Sequence, residues 1–296
     1  MESNIQIFTS YQFKTNEYFF GGICMIKAIF FDLDGTLLNS NKIIDDSTIN
    51  ALKQCRENGI KLFITTGRPP LIQKMLSFTD EVIELFHGGT YCNGGCIRIG
   101  SHSEYIFIPE NIVSYCINKS SKYERLNIAL QLKNEIHAFR YPLFETSYIK
   151  WGIEKKDSLE INKAKRNEIV KILIHYENCH DSVTLIPDQL VNDLKAYCED
   201  KANMYLTDKG KVIQIVNQEI SKKESIEKIR KELMLDKKEI AVFGDDFNDM
   251  EMLLEYENSI AMGNAEDKIK NVARMVTKDN DNDGIAFALK TLLKVI

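Results

Sequence analysis

Three short apolar runs, Ile26–Phe31, Lys61–Thr65 and Glu239–Phe243, constrain this chain more than any other feature of it. Each is nearly continuous in apolar character, and each ends in small or acidic residues. Strands covered on both faces read this way. They belong to parallel sheets, whose ligands gather beyond the carboxyl ends of the strands. A helical pattern over Asp46–Asn58 leads into the second run and stops at Gly59, a good helix terminator. Another, Asp249–Glu255, follows the third run. Ser259–Met262 and Arg274–Thr277 read as further strands around a helical Ala265–Val272, and an amphipathic helix is expected over Ile285–Val295. This alternation predicts an α/β protein with a doubly wound, Rossmann-like parallel sheet.

The middle of the chain reads differently. From about Arg98 to Val216 the strand candidates look more solvent-patterned, and hairpin signals replace the alternation. Leu126–Leu132 and Glu135–Phe139 flank Lys133-Asn134, and Tyr205–Thr207 and Val212–Val216 flank Asp208-Lys209-Gly210-Lys211. Helical stretches near Pro109–Ser121 and Pro187–Glu199 lie between strands. The expectation is a catalytic core of residues 25–97 and 218–296, with an inserted α+β domain over 98–217. Residues 1–24 show no clear period and read as an N-terminal extension, either a loose tail or a stretch ahead of a true start at Met25.

Charge and cysteine content exclude some function classes. A net charge of -5 gives no basic footprint for nucleic acid. The most apolar early stretch, Tyr18–Phe31, is broken by Lys27 and Gly21-Gly22 and falls short of the ~20 residues a bilayer needs, so no membrane span is expected. It also lacks a basic leader and a small-residue cleavage site. Seven scattered cysteines are a poor disulfide framework, so a cytoplasmic location is expected. Cys92 and Cys96 have no second pair at zinc-site spacing.

Four stretches carry chemistry. Asp32 and Asp34 stand just past the first strand, where the chain can turn at Gly35 and bring both carboxylates to one crevice. Gly244-Asp245-Asp246-Phe247-Asn248-Asp249 ends the third strand, and carboxylates packed so closely repel unless a cation sits among them. Thr65-Thr66-Gly67-Arg68 offers a hydroxyl, an open backbone N–H and a guanidinium, all able to hold phosphate oxygens. Ser221-Lys222-Lys223-Glu224 opens a helix. Each has a bland alternative: a solvated turn, an Asp-rich helix cap, an ordinary strand end, a solvated lysine pair.

In this order the four stretches resemble the four motifs of the haloacid dehalogenase superfamily, and the Cof-type sugar-phosphatase branch is the best match. Cys92-Asn93-Gly94-Gly95, Ala261-Met262-Gly263-Asn264-Ala265 and Asn280-Asp281-Asn282-Asp283-Gly284 strengthen the resemblance. It covers nearly everything from Met25 onward and is only architectural in the insert. It implies a Mg²⁺-dependent phosphatase acting on small phosphorylated metabolites. Asp32 would be the nucleophile and Asp34 the general acid, then base. Thr66 would hydrogen-bond the phosphoryl group, and Lys222, preferred over Lys223 from its helix register, would neutralise its charge. Asp245 would bind Mg²⁺ with the Asp32 carboxylate and the Asp34 backbone carbonyl. Asn248 and Asp249 would complete or orient the metal shell. Gly67, Arg68, Asn93 and Asn248 would lie at the substrate phosphate.

The same resemblance makes the insert a cap that closes over the site, with hinges near Ile97–Gly100 and Asn217–Ser221. His137, Arg140, Tyr141 and Trp151 are cap residues that could face substrate, though ordinary packing is the simpler account of each. Two other readings use the same residues: a phosphomutase or other phosphoryl transferase, and a phosphometabolite-binding protein without catalysis. The intact carboxylates and lysine argue against the second.

Overall fold

The computed structural model describes residues 25–177 and 184–296, so the expectation for residues 1–24 lies outside the described residues, as do Cys24 and Cys179. The chain opens with strands β1 (Ala28–Phe31), β2 (Lys61–Thr65), β3 (Gly88–Tyr91), β4 (Cys96–Ile99) and β5 (His102–Tyr105). Then come β6 (Leu126–Leu132), β7 (His137–Phe139), β8 (Ser158–Glu160), β9 (Ile169–Tyr176), β10 (Ala202–Thr207) and β11 (Val212–Asn217). It closes with β12 (Ile240–Gly244), β13 (Asn258–Ala261) and β14 (Met275–Val276). They form an eight-stranded sheet, β14-β13-β12-β1-β2-β3-β4-β5, and a six-stranded sheet, β10-β11-β9-β6-β7-β8.

The first sheet is parallel from β14 through β3, with β1 paired to β12 on one side and β2 on the other. Period-two alternation explains why its central strands must be apolar throughout. Ile29 and Phe31 join one hydrophobic cluster, with Phe243 of β12 stacked on Phe31 at 5.1 Å. Ala28 and Phe30 join the cluster on the opposite face, where Phe30 stacks on Phe63 at 4.8 Å. Each strand is therefore covered on both sides and ends, chemically, where polar residues begin.

Strands β4 and β5 extend this sheet antiparallel to β3. Residues 98–99 and 102–105, expected in the insert, are thus strand residues of the first sheet. Ile97–Ile99, part of the stretch expected to hinge, is paired on both edges. The short strands escaped notice because Gly88-Gly89-Thr90-Tyr91 and His102-Ser103-Glu104-Tyr105 carry little apolar signal. Two expected helices are shorter or differently wound: Asp267–Lys270 alone is α-helical within the expected Ala265–Val272, and Gly284–Phe287 passes into a π-turn over Ala288–Leu292.

The second sheet corrects another expectation. β6 is not solvent-patterned, because all seven of its residues are buried. Leu126, Ile128, Leu130 and Leu132 pack with Ile172, Ile174, Ile213 and Ile215 beneath helices Glu110–Ser120 and Asp188–Cys198. The opposite face carries Gln131, Lys171, Leu173 and Gln214 and looks into a crevice of about 1130 Å³ shared with the first sheet. A sheet with one apolar and one polar face alternates as solvent-facing sheets do, although here the polar face is covered.

Candidate active site

β1 ends at Phe31, and the Asp32 N–H still donates to the Phe243 carbonyl at 3.0 Å. The chain then turns, with Leu37 N donating to the Asp32 carbonyl and Leu38 N to that of Leu33. Gly35 makes the turn with φ +84°, and a Cβ there would stand 2.3 Å from Asp245 Oδ2. Glycine is needed for conformation and for space, because the β12 loop presses its carboxylate against this backbone. Thr36 Oγ1 donates to Asp245 Oδ1 at 2.7 Å, and Asn264 Nδ2 donates to the Gly35 carbonyl at 2.8 Å.

Among the described residues, Asp32, Asp245 and Asp249 bring carboxylate oxygens within 4.8 Å of one another. Lys222 joins them from the first turn of helix Lys222–Glu232, donating to Asp32 at 2.5 Å and to Asp249 at 2.6 Å. Ser221 caps that helix through Glu224 N, which fixes the register that aims Lys222 inward. Lys223 points away and pairs with Glu224. Asp249 accepts three hydrogen bonds: Oδ1 from Lys222, and Oδ2 from the backbone N–H groups of Asp245 and Asp246. Asp246 caps the turn that follows, as its bland reading had it.

Burial lifts the Asp32 carboxyl well above its ordinary range; Lys222 pulls it back, while Asp249 and Asp245 push it up. Burial, with the charge of Asp249, pushes Asp245 up to about 7. Three carboxylates facing one buried ammonium therefore resist joint ionisation. A divalent cation would relieve that repulsion, and an all-oxygen donor set suits Mg²⁺.

Asp34, expected to carry a proton, is paired with two cations in this structure. Arg68 holds it with two hydrogen bonds, Nε to Oδ2 at 2.5 Å and Nη2 to Oδ1 at 2.7 Å, and Lys42 adds a third at 2.8 Å. Burial works to raise its pKa, but the bonds and charge of Arg68 and Lys42 outweigh burial and hold it at about 2. Arg68 is thus engaged by a carboxylate, as guanidinium forks readily are.

Thr66 is buried at the end of β2, its N–H donating to the Thr90 carbonyl and its Oγ1 accepting from Arg68 N. Asn93 is buried and left-handed at φ 56°, a conformation asparagine tolerates. Its side chain links two layers: Asn248 Nδ2 donates to its Oδ1, and its Nδ2 donates to Gln214 Oε1 of β11. Gly67 lies beneath these groups, where a Cβ would meet Asn93 Oδ1 at 3.0 Å and Lys171 Nζ at 3.2 Å.

Of the four aromatic or polar residues singled out in the insert, Trp151 lines the crevice. His137 is buried against Phe139 and Trp151, with Nδ1–H donating to the Glu135 carbonyl. Arg140 donates to the carbonyls of Ser120, Ser121, Tyr123 and Leu126, closing the end of helix Glu110–Ser120, and it stacks on Tyr141. Thr36, Lys42, Lys171 and Gln214 had no assigned role in the sequence reading. For Lys171 the signal was present: a lone lysine inside Ile169-Val170-Lys171-Ile172-Leu173-Ile174.

Comparison with known proteins agrees with this geometry. The profile of the haloacid dehalogenase-like hydrolases matches residues 29–289. Phosphatase YwpJ of Bacillus subtilis is 28% identical over 290 residues, covering 90% of this chain and 100% of its own. The 5-amino-6-(5-phospho-D-ribitylamino)uracil phosphatase YitU of the same organism is 24% identical, over 88% of this chain and 94% of its own. The fold matches that of the HAD subclass IIB sugar phosphatase BT4131, with a TM-score of 0.75 at 22% identity, covering 91% of this chain and 100% of that one. With the motifs, the carboxylate cluster and the profile match over most of its length in agreement, the chain belongs to the haloacid dehalogenase-like hydrolases.

Proposed function

We propose that this hydrolase is a Mg²⁺-dependent phosphatase of small phosphorylated metabolites, sugar phosphates foremost, working through an aspartyl-phosphate on Asp32. The observation that carries the reading is the buried Lys222 ammonium bridging Asp32 and Asp249 beside Asp245. The named activities of the relatives, phosphatases of phosphorylated metabolites, support the substrate class.

Asp32 and Asp245 would hold the ion through oxygens that Lys222 and Thr36 leave open, together with the Asp34 backbone carbonyl. The bound ion would supply charge neutralisation for the phosphoryl oxygens and keep Asp32 ionised. Asp249 serves by fixing Lys222 and the β12 loop. Asp32 attacks phosphorus, and the ester P–O bond breaks. The departing oxygen takes a proton from Asp34. Water then attacks phosphorus, giving its proton to Asp34, and the bond to Asp32 breaks to release inorganic phosphate. Lys222 and the Thr66 hydroxyl stabilise charge on the transferring group throughout.

For Asp34 to carry that proton, Arg68 and Lys42 must leave it. An incoming phosphate ester offers both cations a dianion, so substrate itself would draw them off and let the half-buried carboxyl rise toward a useful pKa. The second sheet, read as a cap, would close over the crevice and exclude water.

The test is turnover of p-nitrophenyl phosphate with Mg²⁺, by wild type and by Asp32→Asn, with phosphate release measured and no acceptor added. Activity that needs the ion and vanishes in the variant supports the reading. Equal rates in both proteins would defeat it.

A further inference from the structure

Lys171 is the one lysine of the second sheet that is buried at the crevice, and no carboxylate pairs with it directly, although the charge of Asp34 acts on it from a distance. It is 1% exposed. Its Nζ donates to the Gly67 carbonyl at 2.5 Å, and among the described residues it forms no ion pair. Burial pushes its pKa down to about 8. A cation buried without a carboxylate is costly, so its retention at this position calls for an explanation.

The backbone goes out of its way to put it there. Along β6 and β9 the register pairs Gln131 with Lys171 but Leu132 with Ile169, so Val170 is an extra residue in the ladder. Bulges of this kind re-aim side chains. Here Val170 packs into the first sheet's cluster, Ile169 and Ile172 into the second sheet's, and Lys171 is left facing the crevice. Gln131 lies opposite it on β6, and Gln214 on β11 stands nearby, its Oε1 3.2 Å from where a Cβ at Gly67 would be. Tyr205 of β10 lines the same crevice, and its hydroxyl has no hydrogen-bond partner among the described residues. Lys150, Lys195 and Lys209 line the crevice farther out. The second-sheet side of the crevice is therefore polar and carries several lysines beside Asp208, facing the carboxylates of the first sheet.

We propose that Lys171 is a substrate-binding residue whose ammonium receives an anionic group on the leaving portion of the ester, so that preferred substrates carry a second negative charge beside the scissile phosphate. This rests on the phosphatase reading above and narrows its substrate class. The second anion can be a phosphate or a carboxylate, since a point-charge ammonium accepts either.

Matched substrate pairs test it in the full-length protein with Mg²⁺. Fructose 1,6-bisphosphate against fructose 6-phosphate probes a second phosphate. 3-Phosphoglycerate against glycerol 3-phosphate probes a carboxylate. Where a compound does not turn over, its inhibition constant against p-nitrophenyl phosphate is read instead. Wild type should favour the charged member of at least one pair tenfold or more. Lys171→Met and Lys171→Gln should erase that preference through KM, the charged member of the pair losing at least tenfold more kcat/KM than its partner. The glutamine keeps a donor for the Gly67 carbonyl and guards against a loss that is only structural. No preference in wild type, or equal losses on both members of a pair, overturns the proposal and leaves the phosphatase reading standing. A wild type as inactive as Asp32→Asn on every ester overturns both.

Discussion

The floor and roof of the crevice meet at Gly67 and are built on opposite plans. The floor, at the carboxyl ends of β1, β2 and β12, crowds Asp32, Asp245 and Asp249 around one lysine, and each group is held by bonds from neighbouring loops. The roof, on β6, β9 and β11, spreads Gln131, Lys171 and Gln214 over one face of the second sheet, with few bonds among them. A densely cross-braced acidic site suits fixed chemistry on a phosphoryl group. A sparsely bonded cationic face suits a partner that varies from one relative to the next. The difference teaches that a carboxylate-rich face and a lysine-bearing face can sit on separate sheets, joined by hydrogen bonds from Lys171 to the Gly67 carbonyl and from Asn93 to Gln214.

Several substitutions would break or sharpen that contrast. The largest effect is expected on the floor: Asp32→Asn should lower kcat on p-nitrophenyl phosphate by about 10⁴-fold or more, since the nucleophile is removed. A loss under tenfold would mean that the floor is not the reacting centre. Lys222→Met should cost about 3–5 kcal/mol of stability in urea unfolding without Mg²⁺, because it strands the buried carboxylates of Asp32 and Asp249. Added Mg²⁺ should recover part of that loss, and an unchanged midpoint would refute the charge balance described above. In the second sheet, Leu130→Ala should cost about 2–5 kcal/mol by opening a cavity under helix Glu110–Ser120. A loss below about 1 kcal/mol would show that this layer is loosely packed.

His137 gives the second sheet a pH signature. Burial lowers its pKa from 6.5 to about 4, so the folded state holds it neutral while the unfolded chain takes up a proton. The stability it preserves is fully present above pH 6.5 and is lost as the pH falls from 6.5 toward about 4. The loss is roughly 3 kcal/mol at about 1.4 kcal/mol per unit. The stability difference between wild type and His137→Phe should be constant above pH 6.5 and shift in favour of the variant below it. A constant difference down to pH 4 would remove His137 as the cause. The smallest effect belongs to the rim, where Glu145 and Lys155 pair on the open surface. Glu145→Ala should leave the unfolding midpoint where it was.

The floor was legible in advance because its residues lie in short contiguous motifs at strand ends. Asp32, Asp34, Thr66 and Asp245 each follow an apolar run whose period announces a buried strand, so their shared location follows from the parallel sheet. Lys222 was legible through its helix cap. That β5 extends the first sheet beyond residue 98 was not legible, because His102-Ser103-Glu104-Tyr105 carries little apolar signal of its pairing.

Sequence alone determined the α/β sheet and the residues gathered at its carboxyl edge, since period and motif are local properties of the chain. Only the tertiary structure decided that Arg68 and Lys42 hold Asp34 ionised, that Asn93 ties β11 to the floor, and that Lys171 reaches a carbonyl 104 residues away. Those are matters of which faces meet across a crevice. A charge's partner, unlike a strand's period, is set by distance in space and by the water that packing removes.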